Sequence, residues 1–387
     1  MTGHRPRPTS NGMKILLTGG GSAGHFYPLI AIAEELNRIF DEEKLVRAEL
    51  YYMSTDPYDK KILFDNDIVF KRVFAGKRRL YFSLMNIVDF VKVAVGIIKA
   101  LWTIFFLFPD VVVSKGGYVS VPVVFAARIF RIPIIIHESD SVPGRANMWA
   151  SRFAEKIAVS WQEATPFFPK EKTAVTGQPV RKEIRHIVSH GAHEYLHLES
   201  GIPVIFILGG SQGSALINEA VLGVLPEIVK KYQIIHHTGS RHLKEIERTA
   251  KVILEKSEHP DRYKTFGFLT TLAMKMAAGA ATLVVSRAGG TIFEIAAWGV
   301  PSIIIPITDS NGDHQRKNAF NYSRAGAGVV IEEQNVTPHI LLGEIDRLMA
   351  NETLRKQMGE RARAFFRADA AEKVARAAIT IALKHEQ

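Results

Sequence analysis

The sequence of 387 residues contains no cysteine, which excludes disulfide bonds, thiolate metal sites and a cysteine nucleophile. No metal-ligating constellation is predicted among its 14 histidines. Low-complexity tracts are also absent, and 47% of the residues are hydrophobic. These features predict a folded protein without thiol chemistry, in a chain long enough for two ordinary domains.

No apolar run is long enough to cross a bilayer. The polar residues 1–11 suit neither a secretory signal nor an anchor and are predicted to form a disordered tail. Residues 80–108 are strongly apolar, but three charged side chains interrupt them, and the uninterrupted run 100–108 is far shorter than the ~20 residues that span a membrane. The basic and aromatic residues 77–82 suit an anionic lipid surface, and the alternative is a solvated basic loop before a buried helix.

The net charge of +10 admits nucleic acid, an anionic membrane surface or an acidic substrate as partners. Recognised DNA-binding and RNA-binding signatures are absent, and basic residues are not interleaved with stacking aromatics. Nucleic acid is therefore the least favoured of the three partners.

Short apolar runs alternate with longer helical patterns along the chain, which predicts an α/β protein with parallel sheets. Strands are predicted at residues 15–18, 49–54, 68–73, 111–114, 133–137, 156–159, 204–208, 233–238, 263–266, 283–286, 302–306 and 328–331. The first helix is expected from near Pro28, and closing helices are expected over residues 338–349 and 352–385. We predict a tail at 1–12, domains at 13–180 and 181–360, and a helix at 361–387 that packs back on the first domain.

Three of the predicted strands run into glycine-rich turns, at residues 19–25, 209–214 and 287–291. A strand, a glycine turn and a helix leave backbone N–H groups at the helix N-terminus that attract phosphate oxygens. Such units in both halves suggest a ligand held between two domains. The first turn also fits a dinucleotide-binding pattern, but its nearest acidic candidate, Asp56, lies more than 30 positions beyond Gly24, which disfavours a dehydrogenase.

Polar residues in these turns are candidates for chemistry. His25 opens a helix, where a neutral imidazole can act as a base, or instead cap the helix or bind a phosphate. Ser211 can bind a diphosphate or cap a helix, and Glu294 can hold ribose hydroxyls or complement a helix dipole. Residues 313–318 suit sugar hydroxyls or a polar helix start.

Together these segments resemble the MurG family of glycosyltransferases. The resemblance rests on the following motifs, which occur in order along nearly the whole chain: Gly20-Gly21-Ser22-Ala23-Gly24-His25, Lys115-Gly116-Gly117-Tyr118-Val119-Ser120-Val121-Pro122, His137-Glu138-Ser139-Asp140, Gly177-Gln178-Pro179-Val180-Arg181, Gly209-Gly210-Ser211-Gln212-Gly213-Ser214, and Asp313-His314-Gln315 with Asn318-Ala319.

The resemblance implies a GT-B fold, in which the parallel sheets of two Rossmann-like domains face a central cleft. It implies inverting transfer of N-acetylglucosamine from UDP-N-acetylglucosamine to the lipid-linked diphosphate acceptor undecaprenyl-diphospho-N-acetylmuramoyl-pentapeptide, in peptidoglycan synthesis. It further implies no cofactor, no tightly bound metal and a peripheral place on the cytoplasmic face of the cell membrane, with residues 77–108 meeting anionic lipid.

By position in the motifs, the resemblance makes His25 the leading candidate for the catalytic base. The implied substrate-binding residues are Ser22, Ala23 and Gly24 from the first domain, Asp140 near the diphosphate or sugar, and Arg181, Ser211, Leu269, Glu294 and Gln315 for the UDP-sugar.

The chain departs from the family pattern at three places. Ser22-Ala23 replaces a usual Thr-Gly, Ser139-Asp140 replaces a usual Gln-Asn, and the turn 287–294 is one residue short. The acid at 140 is expected to repel a diphosphate or to change sugar contacts. The alternatives are a related transferase with another lipid-linked acceptor, a UDP-sugar epimerase, which needs further acid/base groups, and a non-catalytic membrane-associated UDP-sugar-binding protein, which Asp140 favours.

Overall fold

A computed structural model of the chain describes residues 12–76, 85–210 and 212–386. The chain divides into two compact units. The first unit holds residues up to 139, 143–179 and 369 onward, and the second holds 140–142 and 180–368. Almost all of the predicted tail, the basic segment 77–84 and Ser211 lie outside the described residues.

The described strands are β1 (Lys14–Thr18), β2 (Glu49–Ser54), β3 (Ile68–Arg72), β4 (Val111–Ser114), β5 (Ile134–Glu138), β6 (Lys156–Val159), β7 (Thr173–Val175), β8 (Val204–Leu208), β9 (Gln233–His237), β10 (Tyr263–Phe266), β11 (Ala281–Ser286), β12 (Ser302–Ile304) and β13 (Gly328–Val330). The described α-helices are α1 (Ala23–Glu42), α2 (Lys60–Asp65), α3 (Met85–Leu107), α4 (Ser120–Ile129), α5 (Arg145–Ala150), α6 (Lys182–Arg185), α7 (Ala192–Tyr195), α8 (Ala215–Lys231), α9 (Leu243–Ile253), α10 (Thr271–Ala280), α11 (Thr291–Trp298), α12 (His314–Arg324), α13 (Pro338–Met349), α14 (Glu352–Phe365) and α15 (Ala370–Glu386).

The first unit is built on a parallel sheet in the order β3-β2-β1-β4-β5-β6-β7. Its central strands are buried on both faces, as expected for strands that helices cover on either side. The strand order reverses between β1 and β4, and ligands of open α/β sheets bind at the carboxyl ends of the strands at such a point. The turns after β1 and β4 are therefore where a ligand of this unit is expected.

Helix α1 begins at Ala23, so the prediction of a start near Pro28 was wrong. Ser22 is extended, and its carbonyl accepts hydrogen bonds from the backbone N–H groups of His25 and Phe26, which closes the first turn before the proline. Helix α15 packs on α1 through buried apolar side chains, and the guanidinium of Arg376 lies 2.7 Å from Glu43.

The single helix predicted over residues 352–385 is two helices. Phe365, the last residue of α14, packs its ring against the rings of Phe293 and Tyr322 in the second unit. Phe366 is already extended, and Arg185 donates a hydrogen bond of 2.8 Å to the carbonyl of Ala368. These contacts hold the connecting segment in a non-helical course before α15 begins.

The second unit also contains a parallel sheet, in the order β10-β9-β8-β11-β12-β13. Its order reverses between β8 and β11, so the turns after these two strands mark the expected ligand position. Both turns are glycine-rich segments singled out in the sequence. A separate core of apolar side chains from the sheet and helices α8 and α13 stabilises this unit.

Candidate active site

In the first unit, the turn after β1 requires glycine. A Cβ atom on Gly20 would lie 2.6 Å from the Ser54 hydroxyl, and Gly21 has a φ of 91°, which favours a residue without a side chain. The turn leads directly into α1, so Ser22, Ala23 and Gly24 lie at the N-terminus of this helix. Their backbone groups stand where a helix attracts a phosphate.

His25 is half-buried in the first turn of α1. Its Nδ1 atom lies 2.9 Å from the Ser22 hydroxyl oxygen. Its Nε2 atom faces Gly117 in the turn after β4, and a Cβ on Gly117 would lie 3.3 Å from that nitrogen. The imidazole therefore lies between the turns after β1 and β4.

Behind these turns is a buried polar network centred on Lys115, which follows β4. Its ammonium donates hydrogen bonds to Nδ1 of His137, at 2.7 Å, and to the Ser139 hydroxyl, while Gln178 Oε1 lies 3.4 Å away. Nε2 of His137 donates to the carbonyl of Gly177. Burial and the nearby Lys115 charge hold the pKa of His137 well below its ordinary value, so this imidazole stays neutral.

Glu138, beside this network, is also buried and has local partners. Its Oε2 atom accepts hydrogen bonds of 2.9 Å from the Gly144 N–H and the Asn147 side-chain amide. The same amide group donates to the carbonyl of His137. The carboxylate therefore fixes the segment that leads into α5.

In the second unit, the turn after β8 brings backbone segments close together. Gly213 has a φ of 78°, and a Cβ there would lie 1.9 Å from the carbonyl oxygen of Thr238. Ser214 caps α8, since its hydroxyl accepts a hydrogen bond from the Ile217 N–H. The turn thus leads into a helix N-terminus, a position that suits a diphosphate.

Three of the predicted UDP-sugar residues lie near the carboxyl edge of this sheet. Glu294 is half-buried in the first turn of α11; burial raises the pKa of its carboxyl, and the charge of Arg181 opposes that rise. Arg181 is buried directly before α6, which packs on α10 and α11. Leu269 is buried in the segment between β10 and α10. An arginine beside a carboxylate can hold a phosphate and ribose hydroxyls side by side.

Gln315 lies near the start of α12, and its side-chain oxygen accepts a hydrogen bond of 3.2 Å from the backbone N–H of Ile307. Next to it is a cavity of about 300 Å³ whose lining includes Thr308, Arg316 and Glu333. This volume is at the lower end of the roughly 300–1,000 Å³ typical of small-molecule sites.

The chain matches two family models, described as the glycosyltransferase family 28 N-terminal domain, at residues 15–159, and C-terminal domain, at residues 204–374. A relative from Bacillus thuringiensis (strain Al Hakam) is 38% identical to this chain over 341 residues, which cover 87% of this chain and 92% of that protein. The relative is named UDP-N-acetylglucosamine--N-acetylmuramyl-(pentapeptide) pyrophosphoryl-undecaprenol N-acetylglucosamine transferase 3. The chain belongs to the MurG family. A Listeria welshimeri relative with the same name, but without a number, is 35% identical over 375 residues, or 95% of this chain and 99% of the relative.

Solved structures give the same fold. The crystal structure of Acinetobacter baumannii MurG has a TM-score of 0.70 at 23% identity and covers 95% of this chain and 99% of that one. A Neisseria meningitidis UDP-GlcNAc 2-epimerase bound to UDP-GlcNAc has a TM-score of 0.65 at 13% identity, with coverages of 96% and 100%. The chain therefore has the GT-B fold that MurG family members share with other proteins.

Two family-motif residues have contacts that the sequence did not suggest. Asn318, expected with its neighbours to face sugar hydroxyls, is only 1% exposed and accepts a hydrogen bond from the Ser141 N–H. Its amide group donates to Asp140 Oδ1, at 2.9 Å, and to the Ala288 carbonyl. Asn318 is thus a buried contact residue, and Asp140 is its hydrogen-bond partner.

Arg287 is one of the buried charged residues of this MurG family member to which the sequence pattern assigned no role. It is 8% exposed directly after β11. A charged residue that follows a buried apolar strand is the signal that could have identified it, because buried charges need partners.

Among residues 12–76, 85–210 and 212–386, no group of three or more His, Cys, Asp or Glu side chains is arranged to hold a metal ion. Within the same residues, no helix combines the length and the apolar character that a membrane crossing requires.

Proposed function

We propose that this chain transfers N-acetylglucosamine from UDP-N-acetylglucosamine to undecaprenyl-diphospho-N-acetylmuramoyl-pentapeptide, converting lipid I to lipid II in peptidoglycan synthesis. The observation that carries the proposal is the 38% identity to a relative named for this reaction, over 92% of that relative's length. The first unit would take the acceptor, and the second unit would take the donor.

The donor groups proposed are those near the carboxyl edge of the second sheet. Glu294 would accept hydrogen bonds from the ribose hydroxyls, and Arg181 would contact the diphosphate. Ser211 and the N-terminus of α8 would contribute donors to the same phosphates, with Leu269 beside the uracil and Gln315 beside the sugar. The Arg181 guanidinium and the N-terminus of α8 would stabilise the negative charge that grows on the departing diphosphate.

His25 is the proposed base. In the tautomer whose Nδ1–H donates to the Ser22 hydroxyl, Nε2 carries a lone pair on the side of Gly117. The acceptor hydroxyl oxygen attacks the anomeric carbon as the bond to UDP breaks on the opposite face, and its proton passes to Nε2. Ser22, Ala23 and Gly24 at the start of α1 would hold the acceptor diphosphate beside this base.

The first unit also offers a surface for the lipid, on one face of α3. Ile98, Trp102, Phe105 and Phe106 are 51–70% exposed, at spacings of three and four residues that place them together. Contiguous exposed apolar side chains mark membrane or partner contacts, and Lys92 on the same helix suits anionic headgroups. We place the protein peripherally at the cytoplasmic face of the cell membrane, with this surface on the lipid.

The test is a transfer assay with radiolabelled UDP-N-acetylglucosamine and a panel of lipid-diphosphate acceptors, including one without the peptide. Transfer to the muramoyl-pentapeptide lipid supports the proposal. Transfer only to another lipid identifies a different acceptor, and donor binding without transfer identifies a binding protein.

The His25→Ala variant tests the base in the same assay. It should fold normally, keep its UDP affinity within a few fold, and lose about 100-fold or more in turnover, because a positioned base contributes 10²–10⁴-fold. Unchanged turnover would remove His25 from the proposed role.

A further inference from the structure

One guanidinium, that of Arg287, binds three acceptors on different segments of the second unit. It donates to the Ser214 hydroxyl at 2.7 Å, to the Ile305 carbonyl at 3.2 Å and to Glu333 Oε1 at 2.7 Å. The other oxygen of Glu333 accepts a 2.7 Å hydrogen bond from the Thr308 N–H. Arg287 and Glu333 together thus connect the turns that follow β8, β11, β12 and β13.

These four turns lie along the carboxyl edge of the sheet, where the strand order reverses. The Ser214 contact reaches the cap of α8, next to the phosphate-binding turn. The Thr308 contact reaches the segment whose Ile307 N–H binds Gln315, and Glu333 and Thr308 both line the 300 Å³ cavity. The Arg287 contacts therefore fix the distance between the phosphate side and the sugar side of this edge.

The arginine fork suits this task. A guanidinium presents several N–H groups in one rigid plane, whereas a lysine ammonium is a point charge on a flexible stem. Partial burial acts against ionisation of Glu333, but the Thr308 N–H and the Arg287 guanidinium hold the pKa of its carboxyl below the ordinary value. The carboxylate is therefore charged at neutral pH, and the ion pair persists.

We propose that Arg287 is a positioning residue for the donor, which sets the spacing between the turn that holds the diphosphate and the turn that holds the sugar. This inference rests on the proposed function, because it assigns UDP-N-acetylglucosamine to that edge. Arg287 acts through Ser214 and Glu333 rather than by contact with the reacting atoms.

The same unit supplies a matched control, Arg262. It is also 8% exposed, pairs with Glu199 through both carboxylate oxygens, and donates to the carbonyls of Val229 and Lys230. Arg262 directly precedes β10, so it lies at the amino edge of the sheet. Removing either arginine takes a buried guanidinium out of an ion pair, with Glu199 about half exposed and Glu333 less so, but only Arg287 is at the proposed donor site.

The experiment compares Arg287→Ala, Arg287→Lys and Arg262→Ala by KM for UDP-N-acetylglucosamine, kcat, melting temperature and calorimetric binding of UDP and UDP-N-acetylglucosamine. Both Arg287 variants should raise the donor KM by about tenfold or more, since small misplacements of positioning groups have effects of that order. Millimolar guanidinium ion should restore KM in Arg287→Ala. Arg262→Ala should lower the melting temperature to a similar extent, leave KM within about twofold and show no rescue.

Three results would overturn the inference: an unchanged KM in both Arg287 variants, an equal rise in Arg262→Ala, or a raised KM in Arg287→Ala that guanidinium does not restore. If Arg287→Ala fails to fold, Arg287→Lys and Glu333→Gln carry the test, because each retains a polar side chain of similar size. Failure of the unsubstituted protein to bind UDP-N-acetylglucosamine would refute the proposed function itself, and this outcome involves no variant.

Discussion

Gly117→Ala places a methyl group against the proposed catalytic base. The added Cβ would lie 3.3 Å from Nε2 of His25 and 3.1 Å from the Gly20 carbonyl oxygen. A hydroxyl that transfers its proton to Nε2 must come within about 2.6–3.2 Å of this nitrogen. The methyl group therefore takes the place that the acceptor hydroxyl needs, while the imidazole and Ser22 remain.

The size of the loss in turnover distinguishes backbone strain at Gly117 from obstruction of the proposed base. Gly117 has a φ of 78°, and a side chain in this backbone conformation costs about 1–2 kcal/mol. Gly201 provides the control, since its φ is 80° and an added Cβ there meets no atom within 4 Å. Both alanine variants should lose stability through this backbone strain, and Gly117→Ala should lose somewhat more because of its two close contacts. Only Gly117→Ala should also lose the contribution of the base, about 10²–10⁴-fold, or roughly 3–5 kcal/mol in the activation barrier.

The assay measures initial transfer rates at saturating donor, together with melting temperature and calorimetric UDP binding. Gly117→Ala should show at least about a 100-fold lower turnover than Gly201→Ala, with equal UDP affinity, because the substitution leaves the second unit unchanged. Equal turnover in the two variants would refute the argument that Nε2 of His25 receives the proton from the side of Gly117.

The remaining predictions use other parts of the molecule. Glu294→Gln should raise stability slightly at pH 8, because burial raises the pKa of this carboxyl and disfavours its ionised form. The same variant should weaken UDP-N-acetylglucosamine binding by about tenfold or more, and unchanged binding would exclude the ribose contact. Lowering the pH from 7.5 to 5.5 should reduce stability, measured by urea unfolding. Burial holds the pKa of His137 well below 6.5 and that of His236 at about 3, so the unfolded chain takes up more protons than the folded chain below pH 6.5. Each histidine then lowers the free energy of unfolding by up to about 1.4 kcal/mol per pH unit. A free energy of unfolding that does not change over this pH range would contradict their burial as neutral groups. Phe106→Glu should reduce the fraction of the protein that sediments with anionic-lipid vesicles. Phe64→Glu is the control, since Phe64 is 82% exposed elsewhere on the first unit, and it should leave this fraction unchanged. Equal losses in the two variants would argue against the α3 surface.

The strands were largely predictable because parallel strands covered on both faces are continuous apolar runs. Each predicted strand is present, with ends that differ by at most two residues. The missed strand, β7, has three residues that are exposed or half-buried, so it has no apolar run to detect. The start of α1 was misplaced because the pattern favoured Pro28 as an early helical residue, whereas closure of the first turn on Ser22 starts the helix sooner.

The site was predictable where a turn has a local signature and not where it depends on distant pairing. Glycine turns identified the carboxyl edges of both sheets, and the family resemblance supplied candidate residues within them. The ion pair of Arg287 with Glu333 joins residues 46 positions apart, and the bond from the Ser141 N–H to Asn318 spans 177 positions. No local pattern encodes such contacts, because they arise only when the sheet brings its turns together.

Ser139 and Asp140, the two departures from the family pattern after His137-Glu138, are explained by separate hydrogen bonds. Ser139 donates to Gln178 and accepts from Lys115 within the first unit. Asp140 accepts from the Asn318 amide within the second unit, and an asparagine, usual in the family at this position, also has a side-chain oxygen for that bond. Since the contact requires only an acceptor oxygen, the carboxylate of Asp140 is accounted for without a diphosphate beside it. The feature that favoured a non-catalytic binding protein is therefore compatible with a working transferase.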